Sequence, residues 1–365
     1  MSIWRTNDPG RFSAVAMSDI DGNGTYPNEL PHRNPDIEHI SHMLPGILNV
    51  RSRHDDGTTL VLTGGMHGDE KAGIVILDRL VHELCEGEVP VKRNLLLMYG
   101  NLRAMQAEGG KGLRCIESEV GATSNLNRCF NYGTFEHPKC YAERRANQMV
   151  ECAEAVLQGR RVEAIDIHQS FGVPTLADIR QGGDRTEYTY AMLYPRDISD
   201  TLSWVHHYFS DIVAGAVLNN MSKVHRTWAG YMASRFGAHT ATFEQGTIGH
   251  TDHVTFTPQL YDNLVLSVGG EGRLQNPQGF DVWKCQRGII RTSENFTFLD
   301  AAGQPLQRAP QDFVSISYRT VARDGTTAHM IDEDERLLFA NAEVPIGDRA
   351  AEIIARMKTD LVPSP

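Results

Sequence analysis

No apolar run in this chain approaches the roughly 20 residues that a membrane-spanning helix needs. The opening stretch MSIWRTNDPGRF also lacks the apolar core of a signal peptide. A membrane role is therefore not expected, and a cytoplasmic location is. A concentrated basic face is missing as well: the formal net charge is −11, which disfavours nucleic acid, whose phosphates need clustered Lys and Arg. The six cysteines, Cys85, Cys115, Cys129, Cys140, Cys152 and Cys285, fall singly with no Cys-x-x-Cys spacing. That excludes a small-domain disulfide framework and leaves reduced packing thiols. Internal repeats and low-complexity tracts are absent. What is there, 365 residues with 41% hydrophobic and 22% charged content, suits an ordinary globular protein with one large domain and a smaller one.

The most informative stretch is VLTGGMHGDEKAGIVIL, Val61 to Leu77. Thr59 to Thr63 has the β-branched, apolar texture of a buried strand, whereas Ile74, Leu77, Leu80, Val81 and Leu84 recur at helical spacing. His67 thus leaves a strand end and Glu70 enters a helix, with Gly64, Gly65 and Gly68 allowing a sharp turn. Across such a turn an imidazole and a carboxylate three residues apart can converge on one metal ion. About one His-x-x-Glu is expected by chance in a chain of this histidine content, so the strand, glycine turn and helix around the pair carry the reading.

Residues 1 to about 50 are polar and rich in turn formers, which predicts a loosely structured lead-in closed by a short edge strand near Ile47 to Arg51. A second buried strand is expected at Asn94 to Tyr99, closed by Gly100 and Asn101. Residues 102 to 137 form a stretch too long for a plain connection, and it contains Arg114 and the run Asn125, Leu126, Asn127, Arg128. A helix follows over Lys139 to Leu157, then a strand at Ala164 to Ile167 that delivers His168. Tyr190 to Tyr194, a helix over Thr201 to Leu218 and a strand at His239 to Phe243 continue the alternation. This rhythm predicts an α/β domain with a mostly parallel central sheet flanked by helices. From about Pro258 the texture changes to short strand-like pieces, including Gly288 to Arg291 and Val314 to Tyr318, and Asp348 to Lys358 reads as a closing helix. The expected division is a lead-in over 1–52, a main α/β domain over 53–257, and a smaller C-terminal β-rich domain over 258–365.

Catalytic zinc takes about three protein ligands and keeps one position open. His67, Glu70 and His168 meet that need, and both histidines fall at ends of expected parallel strands, the edge where open α/β sheets bind ligands. A core histidine bonded to backbone is the plain alternative for His168. Asp166 either orients a ligand or is a satisfied structural carboxylate. Hydrolysis also needs a base beside the metal. Glu244, just after Phe243 at the end of AHTATF, is the candidate, although other glutamates would serve. Arg128, with Asn127 beside it, suits a fork on a substrate carboxylate, and Arg114 suits polarisation of the carbonyl under attack.

These motifs together resemble the succinylglutamate desuccinylase and aspartoacylase family of the zinc carboxypeptidase superfamily. The likeness runs from about Val61 to Met357 through GGMHGDE, the Gly100–Asn101 strand end, NLNR, the DIH at Asp166 to His168, FGAHTATFE at Phe236 to Glu244 and LLFANAEVPIGDRA. It implies a zinc carboxypeptidase-type sheet and one zinc per chain, held by His67, Glu70 and His168. It further implies Glu244 as general base, Asn127 and Arg128 on a substrate carboxylate, Arg114 on the scissile carbonyl, and a C-terminal β domain that narrows the entrance. Two departures stand out. Desuccinylases usually show an aspartate where this chain has Asn125, and a His-Thr-Ala-Ile-Arg run where it has HQSFG at His168 to Gly172. Arg180 and Arg185 are the candidates for replacing the missing arginine.

The expected function is zinc-dependent hydrolysis of the amide bond of a small N-acyl amino acid, with N-succinylglutamate as the leading substrate. The alternatives are another N-acyl amino acid, a carboxypeptidase acting on short peptides, and a non-catalytic zinc or ligand-binding protein. Oligomeric state is left open by the sequence.

Overall fold

The computed structural model of the chain describes residues 11–18, 28–116, 124–130, 135–170, 189–194, 197–209, 213–219, 226–247, 258–271, 281–290, 298, 335–338 and 349–357. Among them is an eleven-stranded sheet made of β1 (Ile37–Leu44), β2 (Ile47–Ser52), β3 (Thr58–Gly64), β4 (Asn94–Tyr99), β5 (Arg161–Ser170), β6 (Thr189–Leu193), β7 (Val213–Leu218), β8 (His239–Thr247), β9 (Asp281–Ile290), β10 (Glu335–Leu338) and β11 (Arg349–Arg356). The helices are α1 (Arg11–Ser18), α2 (Lys71–Glu86), α3 (Leu102–Gln106), α4 (Tyr141–Leu157), α5 (Ile198–Phe209), α6 (Trp228–Phe236) and α7 (Pro258–Val268). None of the described helices is long and apolar enough to cross a membrane.

Strand order is β1-β2-β4-β3-β5-β8-β6-β7-β9-β11-β10. The central run β4-β3-β5-β8 is parallel throughout, and the antiparallel pairings β1–β2 and β9–β11–β10 close the two margins. Period-2 alternation splits the apolar residues of the central strands between two cores. Leu60, Leu62, Leu95, Leu97, Ile165 and Ile167 face α2 and α5. Their neighbours Val61, Leu96, Met98, Val162 and Ala164 face α4 and α6. Such near-continuous apolar runs are what a parallel strand covered on both sides requires. The helix ends follow their residues: α2 stops at Gly87, which takes φ 82°, and Thr227 caps α6 by accepting the Gly230 N–H at 3.1 Å.

The lead-in is more structured than its composition suggests. α1 docks through Ser13, whose backbone N–H donates to Asp78 Oδ1 at 2.9 Å, and Phe12 packs on Tyr99 with ring centroids 5.3 Å apart. The expected edge strand is β2, but β1 lies outside it and takes the edge. The expected helix over Thr201 to Leu218 ends at Phe209, and its last six residues are β7. Val213 to Leu218 pairs in parallel with β6, a tertiary partner that helical periodicity cannot reveal.

The closing helix expected over Asp348 to Lys358 is instead β11. Its Ala, Glu and Arg residues favour helix in isolation. Pairing of Ile354 with Cys285 and Ile353 with Arg287 on β9 overrides that preference, because both isoleucines are then fully buried. Through the β7–β9 pairing the C-terminal strands continue the same sheet. α7 is tied back to α2, with Tyr261 Oη donating to Glu83 Oε2 at 2.6 Å and Arg79 lying 3.9 Å over the Tyr261 ring. The strand expected at Gly288 to Arg291 falls largely within β9, and Val314 to Tyr318 lies outside the described residues. All six cysteines are free thiols.

Candidate active site

The site is assembled at the carboxyl edge of β3, β5 and β8. β3 ends at Gly64, where a Cβ would stand 2.5 Å from the Gly73 carbonyl carbon, so strand end and helix start are in backbone contact. Gly65 then takes φ +69°, a left-handed conformation that favours glycine. The chain reaches His67 and then Glu70, which is the N-cap of α2.

His67, Glu70 and His168 are 3%, 1% and 3% exposed, and one ligand atom from each lies within 4.8 Å of the others. His67 Nδ1 is 2.6 Å from Glu70 Oε1, and His168 Nδ1 is 2.7 Å from Glu70 Oε2. The far nitrogens are held from outside. His168 Nε2 lies 2.8 Å from Asp166 Oδ2, and His67 Nε2 lies 3.2 Å from Asn125 Oδ1. That same amide oxygen accepts the Asn127 N–H at 3.0 Å, so it is an acceptor that faces Nε2 of His67. Both rings therefore present Nδ1 to the shared carboxylate.

Burial lowers the His67 pKa to about 4, against the attraction of Glu70 and with Arg114 adding to the fall. The ring is neutral near pH 7, as a metal ligand must be. Burial alone would raise Glu70, but the His67 and His168 rings outweigh it and hold the carboxyl well below its ordinary value. Burial would likewise lower His168, and the flanking Asp166 and Glu70 carboxylates reverse that and raise it well above the usual imidazole range. Two imidazole nitrogens and a carboxylate in one buried pocket form a donor set suited to zinc.

Glu244, 7% exposed, is the register partner of His168 on β8 and has Tyr190 of β6 on its other side. Asn127 is buried and oriented, its Oδ1 accepting the Trp228 N–H at 3.0 Å while Nδ2 stands 3.5 Å from His168 Nε2. Arg128 donates to the Asn127 carbonyl at 2.7 Å. Arg114, 40% exposed at its side chain, donates to Glu70 Oε1 at 3.0 Å, so it is paired with the carboxylate of the cluster and faces solvent on its other side. Arg180 and Arg185 lie outside the described residues.

Two residues near the site had no role in the sequence reading. Tyr194 is buried, which pushes its hydroxyl up to about 12; it bonds Thr242 and lies within the electrostatic reach of Arg128, Glu244 and Asp166. Its position in an apolar strand hid it. Gln169 donates its backbone N–H to Glu70 Oε2 at 3.2 Å, and its side-chain Oε1 accepts the Ala72 N–H at 3.1 Å. Its adjacency to His168 was the available signal.

Comparison with known proteins agrees with this architecture. A family model described as the succinylglutamate desuccinylase/aspartoacylase catalytic domain matches residues 56–264. The chain is similar to a succinylglutamate desuccinylase of Pseudomonas syringae pv. tomato, 26% identical over 331 residues, covering 86% of this chain and 89% of the relative. Its fold is similar to the crystal structure of a succinylglutamate desuccinylase from Vibrio parahaemolyticus, with TM-score 0.72, 20% identity and 95% of each chain covered. A second similar structure, the desuccinylase of Chromobacterium violaceum, gives TM-score 0.70 at 18% identity, covering 97% of this chain and 100% of that one.

Proposed function

The chain belongs to the succinylglutamate desuccinylase/aspartoacylase family of hydrolases, and on that premise we propose that it cleaves the amide bond of a small N-acyl amino acid. N-succinylglutamate, giving succinate and glutamate, is the leading substrate, in line with the names of its relatives. The observation that carries the reading is the convergence of His67, Glu70 and His168 in one buried pocket with Glu244 on the adjoining strand.

In this proposal His67, Glu70 and His168 would hold a single zinc ion. Bound zinc supplies Lewis acidity and a nucleophile at neutral pH. Glu244 takes a proton from the attacking water and returns it to the amine nitrogen as the C–N bond breaks. Arg114, within reach of Glu70, donates to the carbonyl oxygen as charge develops there. Asn127 and Arg128 grip a carboxylate of the amino acid portion, Arg128 through its planar fork.

The run after His168 is HQSFG, without the arginine that desuccinylases carry there; this departure favours an acyl group less acidic than succinyl unless Arg180 or Arg185 restores the charge. We further propose a cytoplasmic protein that acts without nucleic acid or membrane, with the region from 258 onward as a C-terminal portion that narrows the entrance.

The test is hydrolysis by the zinc-loaded protein of N-succinyl- and N-acetylglutamate, of the matching derivatives of neutral and basic amino acids, and of short peptides. Release of free amino acid from an N-acyl amino acid in preference to any peptide is expected. Peptide cleavage alone would replace the proposal with a carboxypeptidase, and no turnover of any compound by fully metallated protein would leave a binding protein.

A further inference from the structure

Helix α2 begins at Glu70, and an N-cap residue ordinarily turns its side-chain oxygen back onto the free N–H groups of the first turn. Glu70 makes no such bond. Its two carboxylate oxygens face His67 at 2.6 Å and His168 at 2.7 Å, with Arg114 at 3.0 Å and the Gln169 N–H at 3.2 Å. The helix start is nevertheless buried: Ala72 is fully enclosed, and a Cβ on Gly73 would lie 2.7 Å from Gly64 Cα and 2.9 Å from the Ile167 carbonyl oxygen. The Ala72 N–H is enclosed with its residue, and an unmet buried donor is costly. The Ala72 N–H is met by Gln169 Oε1 at 3.1 Å, from a side chain 2% exposed and 97 positions along the chain.

We infer that Gln169 caps helix α2 in place of its own N-cap residue, and so holds the Glu70 carboxylate turned into the cluster, ready for a metal ion. The inference rests on the zinc-site reading above. Gln169 is a positioning residue by this account. Its backbone N–H fixes one Glu70 oxygen, and its side chain removes the competing donor that would draw that carboxylate away from the imidazoles. The close glycine contact of α2 with β3 and β5 brings the helix within reach of a glutamine on β5.

The experiment compares wild type with Gln169→Met, which keeps length and loses the acceptor, and with the smaller Gln169→Ser. Zinc affinity is read by competition with a chromophoric chelator, and exchange of the Ala72 amide is read by NMR in the zinc-free and zinc-loaded protein. Wild type should bind one zinc per chain and protect the Ala72 amide. Gln169→Met should weaken zinc roughly 10- to 100-fold, the range for residues that orient metal ligands, and expose that amide while the fold persists. A merely structural role would lower the melting temperature and leave zinc affinity of the folded protein unchanged, which overturns the inference. Fast exchange of Ala72 in wild type overturns it too, even where neither variant folds. If wild type binds no zinc, the zinc-site reading fails and this one falls with it; if wild type and Gln169→Met bind zinc equally, only the present inference fails.

Discussion

Glu244 stands opposite His168 in the parallel β5–β8 register. Register partners on neighbouring strands project from the same face about 4.8 Å apart, so the sheet itself brings the Glu244 carboxylate to the edge of the cluster. Glu244→Gln keeps the shape and removes the proton acceptor. Zinc content should be unchanged and turnover should fall roughly 10²- to 10⁴-fold. Turnover within about twofold of wild type, set against that range, would remove Glu244 from the mechanism.

His67→Ala and His168→Ala each delete a nitrogen donor from a cluster of three. Purified, folded variants should lose bound zinc and activity together, and dialysis of wild type against a strong chelator should do the same reversibly. Full metal content in both variants, measured by plasma emission spectrometry, would place the site elsewhere.

Asn125 and Asp166 hold the two rings with unequal partners, a neutral amide on His67 and a carboxylate on His168. A carboxylate acceptor raises the basicity of the ring it holds. Asn125→Asp should therefore tighten zinc, and Asp166→Asn should loosen it, each by roughly 10-fold at the lower end of that effect. Chelator competition gives both numbers, and equal affinities across the set would rule out tuning from outside the ligands.

Arg128→Ala should reduce kcat/KM by roughly 10- to 200-fold, the equivalent of about 1.5–3 kcal/mol for a lost charge-assisted bond. Arg128→Lys should recover only part, since a point charge cannot reproduce the fork. Comparing substrates with and without the amino acid carboxylate checks the assignment: the loss should vanish for the amidated compound.

Far from the site, Arg93 donates to Glu163 at 2.7 Å and to Tyr208 Oη at 3.1 Å, with both charged side chains nearly enclosed. Glu163→Ala leaves the Arg93 guanidinium only the more distant Asp56 carboxylate at 3.7 Å and should cost up to about 3–5 kcal/mol of stability. Urea unfolding measures this. A loss below about 1 kcal/mol, the range of an exposed pair, would mean that the cation is rehydrated.

The sequence by itself carried the elements whose signals are local. The strand at Asn94 to Tyr99 is an unbroken apolar run and matches β4 residue for residue. The strand, glycine turn and amphipathic helix around His67 and Glu70 are visible because period 2, glycine and period 3.6 follow one another within a few turns of chain. The α/β alternation followed from the same signals. Tertiary structure decided what depends on partners distant in sequence. Arg349 to Arg356 has helix-forming residues and becomes β11 only because β9 supplies a ladder, and Val213 to Leu218 becomes a strand only beside β6. The same holds at the site. Sequence could name His67, Glu70 and His168 as donors, but which nitrogen each ring presents depends on Asn125 and Asp166. That Arg114 rests on Glu70, and that Gln169 closes the helix which carries Glu70, are contacts between segments tens of residues apart. Hydrogen bonds act over about 3 Å, and no sequence pattern encodes a distance of that kind until the sheet has brought its strand ends together.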